Sequence, residues 1–138
     1  MADTLIARIE VAEQIDPSRL PELMWDSPWE VRQIVARRFD PSRLHEIMGD
    51  PHWSVRLEVA KRIDLSWLHG MVGDPDWMVR HEVAKRIDPS WLHEMMGDPD
   101  RMVRCVVAQR IAPRYLSGML MRETVLEILE IIRERLNG

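Results

Sequence analysis

Four arginines recur at one position of a 24-residue repeat and are the first candidates for chemistry: Arg32, Arg56, Arg80 and Arg104. On a helical wheel with about 100° per residue, Arg80 falls inside an apolar arc, between Ile87 and Ala84. A half-buried charge needs a partner, because an unpaired one is costly to remove from water. The structural interpretation pairs each arginine with a capping Asp or with helix-terminal carbonyls across the repeat boundary. The functional alternative is a ladder that grips phosphates. We favour the structural interpretation.

A second basic row has the same period: Arg38, Lys61, Arg62, Lys85, Arg86 and Arg110, with Arg37 beside it. Rows of this kind can line a groove in a helical-repeat protein and hold a nucleic-acid backbone. However, Glu58 and Glu82 stand four residues before Arg62 and Arg86, which is the spacing of a helical ion pair. A solvated, ion-paired face is therefore favoured, and nucleic-acid contact through this row is the alternative.

The histidines also form a ladder, His45, His69 and His93, and Glu46 and Glu94 follow two of them. Packed helices lie about 8–10 Å apart, whereas two imidazoles must each approach one metal ion to about 2 Å. We therefore expect no metal site. No Ser, Cys or Lys lies beside a matched base, and no glycine loop could cradle a phosphate. The sequence predicts no catalytic residues, so we do not expect an enzyme.

Composition narrows the class of protein further. Cys105 is the one cysteine, so a disulfide framework is excluded and the cysteines for an iron–sulfur cluster are absent; no cofactor is expected. The net charge of −4 argues against a dedicated nucleic-acid binder. There is no signal-peptide pattern, and no apolar run approaches the ~20 residues that span a bilayer. We expect a cytoplasmic protein without membrane contact.

Tryptophan is unusually frequent for a chain of this size. Trp53 and Trp77 fall near the starts of long helices, and Trp67 and Trp91 near the starts of short ones. These side chains either seal the packing between helices or serve as anchors for a partner, since Trp is enriched in interface centres. The sequence leaves both interpretations open.

The elements that position these side chains come from the repeat itself, seen most clearly from Asp74 to Gly97. This repeat contains two Asp-Pro pairs, Asp74-Pro75 and Asp88-Pro89, each typical of an N-cap followed by proline at the first helical position. The other repeats depart at one position each: Asp26-Ser27-Pro28 shifts the proline by one, Leu65 replaces proline and Ala112 replaces Asp. The first pair predicts a helix of about three turns. The second predicts one of about two turns, short enough to be 3₁₀, ended by Gly97 in a left-handed conformation. The predicted core stripes are Val31, Val35, Ala36 and Phe39; Val55, Val59, Ala60 and Ile63; Val79, Val83, Ala84 and Ile87; Val103, Val107, Ala108 and Ile111.

A fixed period of this length predicts a solenoid whose repeats pack only against their neighbours. We expect a single repeat domain over residues 1–138, with these parts: a degenerate repeat 2–25, clear repeats 26–49, 50–73, 74–97 and 98–121, and a C-terminal capping helix 122–138. The capping helix is broadly apolar, which leaves room for a homodimer contact through it as a further alternative.

The repeated Val-Arg-x-x-Val-Ala-x-Arg, as at 79–86, followed by Asp-Pro-x-x-Leu, as at 88–92, resembles the leucine-rich repeat variant family. The resemblance implies a right-handed superhelix of alternating α- and 3₁₀-helices, all-α and without sheet, similar in style to HEAT repeats. It transfers no biochemical activity. The expected function is a non-enzymatic scaffold that binds a protein partner through one face; the alternative is a nucleic-acid-binding module.

Overall fold

Two kinds of helix alternate along the chain. The computed structural model describes residues 4–138, and within them it contains helices and turns but no strand. The α-helices are α1 Leu5–Gln14, α2 Trp29–Arg38, α3 Trp53–Arg62, α4 Trp77–Arg86, α5 Arg101–Arg110, α6 Leu116–Arg122 and α7 Leu126–Asn137. The 3₁₀ helices are η1 Pro17–Leu23, η2 Pro41–Ile47, η3 Leu65–Met71, η4 Pro89–Met95 and η5 Pro113–Tyr115. The predicted all-α repeat of long α- and short 3₁₀-helices is confirmed.

The short helices begin as the sequence predicts. In η4, Asp88 accepts a hydrogen bond from the Ser90 backbone N–H at 2.9 Å, and Pro89 occupies the first turn. In η2, Asp40 accepts from both the hydroxyl and the backbone N–H of Ser42, which lowers the pKa of Asp40. An Asp N-cap satisfies an N–H that the helix leaves unpaired, and proline brings no N–H there.

The predicted starts of the long helices are wrong by two residues. Helix α4 begins at Trp77, and its cap is Asp76, which accepts from the Met78 N–H at 2.8 Å. Asp74 instead closes the preceding turn, where its N–H donates to the Met71 carbonyl at 3.2 Å. The Asp that opens each clear repeat thus ends one helix, and the cap of the next helix comes two residues later.

The predicted left-handed glycine is also wrong. No glycine in residues 4–138 has a positive φ, and a Cβ added at Gly97 would meet no atom within 4 Å. The reason is that η4 ends with a bond from the Asp98 N–H to the Met95 carbonyl, three residues back, and this turn requires no left-handed residue.

The chain forms two compact units, Met1–Trp67 and Leu68–Gly138. In the first, α2 packs between α1 and α3; in the second, α5 packs against α4 and α7. The predicted core stripes are buried in both units. No helix in the part of the chain that the structure describes is long and apolar enough to cross a membrane. The assignment of all 138 residues to one domain stays a prediction.

Candidate interaction surfaces

The half-buried arginines form a network of ion pairs 18 residues apart. In the first unit, Arg32 donates through Nε to Asp50 at 2.8 Å and through Nη1 to the backbone carbonyls of Asp26 and Ser27. The Asp50 side chain is fully buried. Arg8 pairs with Asp26 in the same way, and Arg56 donates to the Asp50 carbonyl at 2.9 Å. Arg32 thus links the start of its own repeat, at Asp26 and Ser27, to Asp50 at the start of the next.

The second unit repeats this geometry. Arg80 donates to Asp98 at 2.8 Å and to the Asp74 carbonyl at 2.8 Å, with side-chain exposures of 13% for Arg80 and 5% for Asp98. The carboxylate of Asp98 raises the pKa of Arg80. These contacts leave the fork of Arg80 occupied by internal acceptors.

The last member of the ladder uses a glutamate. Arg104 donates to Glu123 at 2.9 Å, because the register of the repeat shifts by one residue and places Arg122 where Asp would stand. Burial opposes ionisation of Glu123, but hydrogen bonds from Arg104 and from the N–H groups of Val125 and Thr124 prevail and lower its pKa. The longer Glu side chain thus compensates for the shifted register.

The second basic row caps helix C-termini, a role that the sequence analysis missed. Arg38 donates to the Ala12 carbonyl at 2.8 Å, and Arg62 to the carbonyls of Ala36 and Phe39 at 2.6 and 2.8 Å. Arg110 donates to the carbonyls of Ala84 and Ile87. These carbonyls belong to the last turns of the preceding repeat's long helices, where carbonyl oxygens have no N–H donor within the helix. Backbone carbonyls carry no sequence signature, so residue spacing could not reveal them.

The remaining basic residues are more open. The predicted Glu58–Arg62 pair is wrong: Glu58 accepts from Arg37 at 3.3 Å, because Arg62 turns to the carbonyls. Lys85 pairs with Glu82 at 3.0 Å, Lys61 is exposed, and Arg86 is half-buried at the end of α4. The row therefore contains capping groups, such as Arg62, and exposed ones, such as Lys61 and Lys85.

The four tryptophans singled out in the sequence are all about two-fifths exposed: Trp53, Trp67, Trp77 and Trp91. Trp29 shares this exposure, and Trp25 is more exposed still. The sequence analysis missed both, although Trp29 stands 24 residues before Trp53. The match is less regular because the chain reads Asp26-Ser27-Pro28 there, with the proline one residue later than in Asp50-Pro51. Large indoles therefore recur on the surface of each unit.

The histidine ladder lies against these indoles. His45 stacks on Trp67 with ring centroids 4.5 Å apart, and His69 stacks on Trp91 at 3.9 Å. His69 also contacts Glu94 at 2.9 Å. Within residues 4–138, no three His, Cys, Asp or Glu side chains converge as metal ligands would. The imidazoles of His45 and His69 thus stack on the indoles of Trp67 and Trp91, which stay 44% and 40% exposed.

Comparison with known proteins gives one informative likeness. No protein-family model matches the chain, and no curated protein matches it. A solved structure described as "a leucine-rich repeat variant with a novel repetitive protein structural motif" is 34% identical, with a TM-score of 0.90. The match covers 97% of this chain and 57% of that chain, so the protein spans little more than half of its neighbour's length. The likeness confirms the predicted resemblance to a leucine-rich repeat variant and the helical repeat-solenoid fold.

Proposed function

We propose that this chain is a cytoplasmic, non-enzymatic scaffold that needs no cofactor and binds a protein partner through tryptophans on one face of its repeats. The observation that carries the proposal is the recurrence of half-exposed indoles at matching positions: Trp29, Trp53 and Trp77 on long helices, and Trp67 and Trp91 on short ones. Indole surface is large and apolar, and Trp is enriched among the residues that dominate binding energy at protein interfaces.

The state of the basic residues supports a protein partner over a nucleic acid. Phosphate binding needs several free cations along one path. Arg38, Arg62 and Arg110 instead donate to backbone carbonyls, and Arg80 is held by Asp98. The net charge of −4 adds no long-range attraction for a polyanion. Nucleic-acid binding is the alternative function, and the experiment below distinguishes it from protein binding.

The chain itself supplies the test substitution. Arg19 and Arg43 occupy the repeat position of Trp67, so Trp67→Arg removes the indole and is compatible with the fold. We would compare wild type and Trp67→Arg as immobilised baits in lysate of the native cell, with and without nuclease treatment. Met121→Arg, at a side chain that is 87% exposed and outside the set of matching tryptophans, is the matched control.

We expect a protein captured at fixed stoichiometry by wild type and Met121→Arg and lost with Trp67→Arg or with the equivalent Trp91→Arg. Equal capture by all four proteins would contradict a role for the indoles. If the recovered material disappears when the lysate is treated with nuclease, and the Trp variants still capture it from untreated lysate, the chain binds nucleic acid and not a protein.

A further inference from the structure

Two of the short helices contain the same four residues at the same place. Ser66-Trp67-Leu68-His69 lies in η3, and Ser90-Trp91-Leu92-His93 lies in η4. The two segments also match in their contacts. Each indole stacks on the imidazole of the preceding repeat, and each leucine is 0% exposed. Each serine N–H donates to a capping carboxylate, that of Asp64 at 3.0 Å and that of Asp88 at 2.9 Å. Because the packing is matched, the flanking residues decide which of the two helices is more stable.

Helix η3 begins without the proline that opens its neighbours. Its first residue is Leu65, which is 57% exposed, whereas η2 begins at Pro41 and η4 at Pro89. Proline fixes φ at about −65° in the unfolded chain as well, so a chain with proline at this position loses less conformational entropy when the helix forms. The exposed leucine side chain offers no burial in exchange. The N-terminal flank therefore makes η3 less stable than η2 or η4.

The C-terminal flank of η3 differs in the same direction. Gly70 occupies the sixth position of the helix, where η2 and η4 have Glu46 and Glu94. Glycine loses more backbone freedom on folding than any other residue. Both glutamates also contact a basic side chain, at 2.7 and 2.9 Å, and glycine has no group for such a contact. Gly118 has the matching position in the last repeat, but it lies in α6 and its repeat keeps the proline, at Pro113.

This weaker helix lies at a particular point of the chain. The first compact unit passes into the second between Trp67 and Leu68, inside η3. A 3₁₀ helix has poor hydrogen-bond geometry, and proteins open locally where stability is lowest. An opening limited to η3 loosens the chain at this passage and leaves the α-helices of both units folded.

We propose that η3 opens locally more often than η2 or η4 and is the flexible segment through which the first unit joins the second. Exchange of proline for leucine and of another residue for glycine each shift such an equilibrium by about two- to fivefold. The two changes lie five residues apart and act on the same helix. Together they predict that η3 is open about 4 to 25 times more often than η4.

Amide hydrogen exchange followed by NMR tests the proposal with a control inside the chain. The amides of Trp67 and Trp91 both follow a serine, so their intrinsic exchange rates are equal. Each donates to the backbone carbonyl of its capping Asp, at 3.0 and 2.9 Å. Where exchange follows the opening equilibrium, we expect the Trp67 amide to exchange about 4 to 25 times faster than the Trp91 amide.

Substitutions in both helices check the cause. Leu65→Pro combined with Gly70→Ala should slow the Trp67 amide by the same factor and leave the Trp91 amide unchanged. Any residue can adopt the backbone at position 70, since no glycine in residues 4–138 has a positive φ. The reciprocal variant Pro89→Leu should speed the Trp91 amide about two- to fivefold.

Three results would overturn the proposal. The first is equal exchange of the two tryptophan amides in wild type. The second is a Trp67 amide that keeps its wild-type rate in the Leu65→Pro and Gly70→Ala chain. The third is an equal slowing of both amides in that chain, because exchange would then report unfolding of the whole protein and not a local opening of η3.

Discussion

The buried arginines and the exposed tryptophans reverse what hydropathy alone would suggest. Arg80 has 13% of its side chain exposed, whereas Trp67 is 44% exposed. The charged group lies inside because a planar guanidinium can satisfy a carboxylate and backbone carbonyls at the same time. The indole of Trp67 lies outside, where it stacks on the His45 ring.

This contrast separates fold from function in the repeat. The arginines supply contacts that must be made in every repeat, such as Arg32 with Asp50 and Arg80 with Asp98. The tryptophan positions tolerate exchange, since the place of Trp77 is taken by Arg101 in the next repeat. Positions that the fold leaves free are those available to a partner, and the predictions below test that division.

The largest effect is expected from Arg80→Ala. It leaves the buried carboxylate of Asp98 without its cation, and breaking a buried pair from one side costs about 3–5 kcal/mol. Urea unfolding should show this as a lower midpoint with little change in slope. Arg101→Ala, at an exposed arginine on the adjacent helix α5, is the control and should change stability by about 0.5 kcal/mol or less.

A smaller loss is expected from Arg110→Met, which removes the donors to the Ala84 and Ile87 carbonyls and keeps an apolar stem. Hydrogen bonds from a charged donor contribute about 1.5–3 kcal/mol net, so we expect a loss of about 2 kcal/mol in urea unfolding. Gln109→Met, at the exposed neighbouring residue, should leave the midpoint unchanged. Equal urea midpoints for Arg110→Met and Gln109→Met would show that the Arg110 side chain is solvated and that its hydrogen bonds to the carbonyls do not stabilise the fold.

The fall in unfolding free energy at acid pH should reveal how much Glu123 contributes to stability. Its pKa is lowered in the folded protein, so the stabilisation is complete above the ordinary Glu range and is lost as pH falls through the lowered value. Wild type should therefore exceed Glu123→Gln in unfolding free energy at neutral pH, and the difference should shrink towards pH 3. A difference that is constant with pH would contradict the ion pair with Arg104.

The repeating helices and their buried core could be predicted from the sequence, but the contacts between repeats could not. The Val-Arg-x-x-Val-Ala pattern sufficed for the helices and the core, because burial follows helical periodicity. The partner of Arg62 could not be predicted, because it is a carbonyl of another repeat. The start of α4 was misplaced because Asp74 and Asp76 are equally good caps, and the preceding turn decides between them.

The smallest stability change is expected for Trp67→Arg. The same repeat position holds Arg43 elsewhere in the chain, so the unfolding free energy should stay within about 1 kcal/mol of wild type. Leu68→Ala, at the neighbouring side chain that is 0% exposed, should cost about 2–5 kcal/mol by comparison. A Trp67→Arg variant as unstable as Leu68→Ala would place the indole among the packing residues.

The claim that buried charge holds the repeats together is tested most directly by a double-mutant cycle on Arg80 and Asp98. Urea unfolding of Arg80→Ala, Asp98→Ala and the double variant isolates the energy of the pair from the other contacts of each residue. We predict that the double variant loses at least about 2 kcal/mol less than the two single losses combined. Losses that simply add would show that Arg80 and Asp98 act independently, and the arginine network would no longer account for the fold.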